Sequence, residues 1–257
     1  LEQKGNFKDN SAILGIYTNL ASAYTPEDVE DNGDGFVRTH GIVSNSCFDR
    51  DLWRGLGCSA DDAATTISSA APASGGHGPS RLASATLADE LRSQLPVPAR
   101  VVTMSIKERT AIMLAGHRGD AVTWFNSDAG GFVTSSAYTA APVPFVEAFT
   151  KANPVTADRG KVWTRILPAG RYLFTDAGQG EKPASFWTAE FPHALNGKDG
   201  GLDAQFLEAW AGSPYSDDYL GRLAIASVDA LKLGQGGGTD FLGVSFSALD
   251  LVGHDFG

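Results

Sequence analysis

Cysteine, positive charge and long apolar runs are all scarce in this sequence, and each shortage narrows its function. Cys47 and Cys58 are the only cysteines in 257 residues. Two isolated cysteines at that spacing do not make a zinc module, and two readings stay open: a local disulfide in an exported protein, or a pair of free thiols. Lys and Arg number 20 against 30 Asp and Glu, a net charge of -10. That balance argues against nucleic acid as a partner, because a phosphate backbone is held by a basic surface. An anionic substrate would therefore need a locally positive pocket. No apolar run approaches the ~20 residues of a membrane span. Gly-x-Ser-x-Gly, the Walker loop and Gly-x-Gly-x-x-Gly are all missing. The glycine-rich stretch 234–238 precedes a strand rather than opening a helix, so it is not a phosphate loop. Leu1 follows no initiator Met and begins no charged-then-apolar leader. The expectation is that both ends are cut.

A hydrophobic content of 42% is that of a folded chain, long enough for one large domain or two small ones. Residues 1–36 show no clean period, and 59–80 read as a Ser/Ala/Gly/Pro-rich loop. A helix is predicted over 84–95, with Ser84 as cap and Leu87, Leu91 and Leu95 repeating at i+4 before Pro96. A buried strand over 99–106 runs straight into Lys107-Glu108-Arg109. Strands at 121–125 and 131–134 flank a hairpin turn. Helices are predicted at 142–152 and from 214 to about 233, and a last buried strand at 241–246. Strand, helix and strand recurring in this way predict an α/β fold. Residues 153–215, rich in aromatics, Pro and Gly, read as an insertion with a satellite cluster of its own.

Three groups of residues carry chemistry. Asp250 and His254 stand four apart at the mouth of the last strand, and a carboxylate with an imidazole suits zinc. The plainer reading is a capping Asp and a hydrogen-bonded His. Lys107 and Arg109 follow another strand, and residues two apart on an extended segment point the same way. Arg offers a phosphate a bidentate fork and Lys a point charge; the plainer reading is two solvated charges. Asn45 lies in a polar turn, where a cap is the plainer role. His40, His77, His117 and His193 have no second ligand at a recognisable spacing. Sites in open α/β sheets gather at the carboxyl ends of strands, so the two charged sets are expected to face one crevice.

Several segments together resemble the alkaline phosphatase superfamily, in the branch similar to type I phosphodiesterases and nucleotide pyrophosphatases that contains periplasmic phosphate-irrepressible phosphatases. Thr39-His40-Gly41-Ile42-Val43-Ser44-Asn45 resembles its His-Gly-Ile-x-x-Asn turn. Ser105-Ile106-Lys107-Glu108-Arg109 resembles its Ser-x-Lys-x-Arg segment. Asp250 to Gly257 resembles its metal-binding Asp-x-x-Gly-His-x-x-Gly. Ser80 to Leu91, Gly130 to Ser136 and Phe191-Pro192-His193 also fit, so the resemblance runs nearly unbroken from about 37 to 257.

The resemblance implies a central sheet flanked by helices and an exported, periplasmic or secreted phosphatase with two zinc ions. It implies hydrolysis of small-molecule phosphate esters through a covalent phosphoenzyme. Asp250 and His254 would then ligate the first zinc, and Asn45, Lys107 and Arg109 would hold the phosphoryl oxygens. The Lys–Arg pair marks the phosphomonoesterases, whose dianionic substrate has one more charged oxygen to satisfy than a diester. The family's nucleophile is a Thr or Ser about twenty residues before the Asn, where Thr25 is the nearest candidate but one residue out and without the following Gly-His. Its first-strand Asp would precede Leu1, and its later Asp-His pair and last His would follow Gly257. The chain is thus expected to be one α/β domain in part, with 153–215 cap-like. The alternatives are a phosphodiesterase or nucleotide pyrophosphatase of the same superfamily, or an inactive phosphate-ester-binding fragment or pseudoenzyme.

Overall fold

Val101, Val102, Thr103, Met104 and Ser105 are each completely buried, and the protein is layered around this strand. The computed structural model describes residues 40–256 apart from 43, 70 and 72. In chain order, β1 (Ser46–Asp49) and β2 (Arg54–Gly57) form a two-stranded ribbon. Then come β3 (Thr66–Ile67), α1 (Leu87–Gln94), β4 (Val101–Ser105), α2 (Glu108–Ala115), β5 (Ala121–Asn126), β6 (Gly131–Ser135) and α3 (Pro144–Ala152). Short strands β7 (Val162–Trp163) and β8 (His193–Ala194) pair with each other, and α4 (Ala204–Ala211), α5 (Pro214–Leu231), β9 (Phe241–Ser245) and α6 (Ala248–Phe256) follow.

The main sheet has the order β3-β6-β5-β4-β9. β4 runs parallel to β5 and β9, while β6 is antiparallel to β5 and β3. Side chains of a strand alternate between faces, and here both faces are covered. Val102 and Met104 pack with Phe132, Trp210, Tyr219 and Leu220 on the side of α4 and α5. Val101 packs with Ala111, Ile112 and Trp124 on the side of α2. The fold is therefore α/β, a mixed central sheet flanked by helices. That double cover is why β4 and β9 read as apolar runs instead of alternating patterns.

Three details depart from the sequence reading. The stretch 59–80 contains β3, whose two residues pair with Ser135 and Thr134; so short a strand has no period to detect. Helix α1 is capped by Thr86 rather than Ser84. The Thr86 hydroxyl accepts from Asp89 N at 3.2 Å, and the Asp89 carboxylate accepts from Thr86 N at 3.0 Å, a reciprocal capping box. The aromatic-rich stretch 153–215 divides between two places. Val155, Leu195, Phe206 and Trp210 enter the main core, while Trp163, Trp187, Phe191 and His193 cluster with Phe256 of α6.

Asp89 also fastens α1 to the turn after α2. Its carboxylate accepts from His117 N at 2.9 Å and meets His117 Nδ1 at 2.8 Å, and His117 Nε2 lies 2.8 Å from the Leu82 carbonyl. Burial opposes both charges. The Thr86 and His117 hydrogen bonds nevertheless hold Asp89 below its ordinary value, and the bonds to Asp89 and Leu82 carry His117 above its own. A raised His pKa contributes stability that is complete below about 6.5 and is lost as pH rises through the folded value. A lowered Asp pKa contributes stability present above about 3.9 and lost as pH falls through the folded value. The pair therefore supports the fold between these limits. His117→Ala is expected to cost about 1–3 kcal/mol near pH 6, by removing the Nδ1 partner of a buried carboxylate. Urea unfolding across pH checks this: the gap between wild type and variant should close as pH rises above the His117 value.

Candidate functional site

β4 and β9 are adjacent parallel strands in register, with Ser105 opposite Ser245. Their carboxyl ends open where ligands bind in sheets of this kind. Ser105 Oγ and Ser247 Oγ lie 3.4 Å apart, buried between the two ends. Ser105 Oγ also accepts from Lys107 N at 3.0 Å. That bond turns the chain out of the strand and makes Lys107 the extended residue that starts α2.

The Lys107 side chain, 14% exposed, crosses to α6 and ion-pairs with Asp250 Oδ2. The other carboxylate oxygen of Asp250 lies 3.7 Å from His254 Nε2. Asp250 and His254 sit four apart on one helix, so both project from the same face. They stand on α6 itself rather than on the strand end. Three residues named from sequence thus converge: Lys107, Asp250 and His254.

Helix α6 is aimed by a residue that the sequence reading missed. Asp217, in the first turn of α5, accepts from Ser247 N at 3.0 Å and Ala248 N at 3.2 Å. A carboxylate from one helix thereby caps the start of another. Burial pushes the Asp217 carboxyl above its ordinary value, against the pull of these two bonds. No local signal marks it, because an Asp near a helix start is ordinary complement to the helix dipole.

Lys107 and Arg109 do not share one extended segment: Lys107 is the extended residue before α2, and Arg109 stands in the helix's first turn. The Arg109 charge acts on Cys58, where burial pushes the thiol up and Arg109 pulls it down. Cys58 packs against Ile42, Leu82 and Met113, and its backbone N–H donates to the Asn45 carbonyl at 2.9 Å. Cys58 thus has the Asn45 carbonyl and the Arg109 charge near it, while the Lys107 side chain reaches Asp250 on α6. Among the described residues, no hydrogen bond or ion pair engages the side chains of Asn45 or Arg109. Cys47 and Cys58 are both free thiols, the first exposed and the second buried. Thr25 lies outside the described residues.

Asp250 and His254 offer one oxygen and one nitrogen donor on a shared face, a fit to half of a tetrahedral zinc site. Among the described residues no third His, Cys, Asp or Glu joins them. No helix among these residues is long and apolar enough to cross a membrane.

No family model matches the chain. Alkaline phosphatase PafA of Elizabethkingia meningoseptica is 28% identical over 221 residues, 85% of this chain and 40% of that protein. Alkaline phosphatase PhoV of Synechococcus elongatus is 30% identical over 221 residues, 85% of this chain and 39% of that protein. The crystal structure of wild-type PafA matches with a TM-score of 0.73 at 28% identity, covering 85% of this chain and 42% of that one. The chain spans about two fifths of the length of these relatives. A second PafA structure carries a threonine replaced by serine, and an asparagine, a lysine and an arginine each replaced by alanine. The last three are spaced along that chain as Asn45, Lys107 and Arg109 are along this one. Counting back to the threonine by the same spacing reaches Tyr24, immediately before Thr25.

Proposed function

We propose, from the premise that this chain belongs to the alkaline phosphatase superfamily, that its full-length protein is an exported, zinc-dependent phosphomonoesterase. The observation that carries this reading is the Lys107–Asp250–His254 group at the carboxyl ends of two adjacent parallel strands. Lys107 stands at the start of α2 and Arg109 in its first turn. The unpaired backbone N–H groups of a helix start add a further positive end. A phosphoryl group seated there meets an ammonium, a guanidinium and the helix dipole together. In a protein of net charge -10, such a concentration of positive groups is what an anionic substrate requires.

The roles follow from this placement. Lys107 and Arg109 bind the non-bridging oxygens and oppose the charge that gathers on them in the transition state. The Asn45 amide donates to a third oxygen. Asp250 and His254 would hold zinc together with further ligands, and zinc held there would lower the charge cost of attack and departure. Thr25 is the candidate nucleophile. Its Oγ bonds to phosphorus as the ester oxygen leaves, its proton ends on the departing alcohol, and water later releases phosphate from the Thr25 ester.

Two cationic donors suit a dianionic monoester, which has one more charged oxygen than a diester. Turnover of methyl phosphate and dimethyl phosphate derivatives with matched leaving groups, measured on the full-length protein, tests this. The expected monoester preference is about 100-fold or more. A diester preference would make the protein a phosphodiesterase of the same superfamily, and absence of both activities with zinc supplied would make it a pseudoenzyme.

A further inference from the structure

A cleft of about 560 Å³ opens beside His254, between α4, α6 and the stretch 184–187. Its apolar lining includes Ile106, Phe125, Phe186, Trp187 and Leu251. His254 belongs both to this lining and to the Lys107–Asp250–His254 group, and Ile106 directly precedes Lys107 in the chain. Its polar lining includes Ser127 and His254 with two carboxylates, Glu208 and Asp255, and contains neither Lys nor Arg.

Trp187 is a fixed wall. Its indole N–H donates to the Ala194 carbonyl at 3.1 Å. Its ring stacks on His193 at 5.0 Å, and His193 lies 5.1 Å from the Phe256 ring of α6. Phe186 meets Trp187 edge-on at 5.3 Å. A ring held on two sides loses little freedom when a ligand covers its open face, which favours binding there. Aromatic surfaces bind rings through buried area and offset or edge contacts.

We infer that this cleft receives the organic half of the phosphate ester, and that it selects neutral or cationic aromatic alcohols over alcohols carrying a second negative charge. The inference rests on the monoesterase reading for the position of the phosphoryl group. The rings supply the attraction. Glu208 and Asp255, with no Lys or Arg in the lining to offset them, repel a carboxylate or second phosphate carried on the far end of the alcohol.

The test uses the full-length zinc-loaded protein and four substrates: ethyl, benzyl, 4-carboxybenzyl and 4-(aminomethyl)benzyl phosphate. kcat/KM for benzyl phosphate is expected to exceed that for ethyl phosphate about 10- to 100-fold. The 4-carboxy group should reverse about tenfold of that gain, and the 4-aminomethyl group should retain it. Trp187→Ala should bring the benzyl-to-ethyl ratio near 1. Glu208→Lys, a change at an exposed position, should invert the order of the carboxy and aminomethyl substrates. Equal rates for ethyl and benzyl phosphate, or a benzyl-to-ethyl ratio unmoved by Trp187→Ala, would overturn the inference. Ethyl phosphate turnover tests the phosphatase reading by itself. Should no phosphate ester turn over, quenching of tryptophan emission by benzylphosphonate and ethylphosphonate still decides: stronger binding of the benzyl compound supports the cleft, and equal binding refutes it.

Discussion

Lys107→Ala in the full-length protein is expected to lower kcat/KM for phosphate monoesters about 10²- to 10³-fold, and to leave zinc affinity undiminished. The first effect is the loss of a largely desolvated cation from the place where transition-state charge gathers. The second follows from the ion pair to Asp250. An ammonium on the Asp250 carboxylate competes with any metal for the same oxygen, so its removal does not weaken the metal site. Arg109→Ala is expected to lower turnover similarly, again with zinc affinity unchanged. Steady-state kinetics beside a zinc titration with a competing chelator would measure both quantities. If either alanine variant kept full turnover, the phosphate-binding assignment would be wrong.

Asp250→Asn and His254→Ala are expected to act in the opposite pattern. Each removes one donor from a pair 3.7 Å apart on one helix. Zinc affinity should fall by more than about 100-fold, beyond what loss of a supporting outer group causes, and monoester turnover should fall with it. Chelation of the wild-type protein should abolish turnover, and added zinc should restore it. Asp250→Asn also leaves the Lys107 ammonium without its partner. Excess zinc should therefore rescue the variants only in part. Unchanged zinc affinity in both would remove these residues from the metal site.

The parts of the fold that could be read from sequence were those fixed by local pattern. β4 and β9 are mostly apolar because both faces of the sheet are covered, and a strand without polar alternation is legible whatever its register. Glycine and asparagine at 126–131 announced the hairpin, and Asn126 Oδ1 indeed accepts from Ala129 N at 2.8 Å. Placing Lys107 near Asp250 needed only the rule that parallel strand ends share a crevice. What could not be read depended on a change of geometry or on a distant partner. Lys107 and Arg109 do not share an extended segment because the chain passes from extended to helical between them. Ser84 and Thr86 are equally good caps by residue type, and the choice falls to Thr86 because Asp89 stands three residues beyond it. Asp217 reaches α6 from thirty residues away in sequence, and His117 joins Asp89 from twenty-eight. Neither link leaves a spacing to recognise. The approach of Asn45 to Cys58 likewise depends on the β1–β2 ribbon, which pairs residues that no spacing in the sequence marks.

The Asp217 cap also affects how integrity near Asp250 can be observed without a ligand. The first amides of a helix ordinarily face water and exchange their protons quickly. Those of Ser247 and Ala248 instead bond to a buried carboxylate on α5. Their exchange rates report the separation of two helices rather than the fraying of one. Slow exchange at these two positions is thus a signature that α6, with Asp250 and His254, is seated against the core, and it can be read in protein that has never met zinc or phosphate.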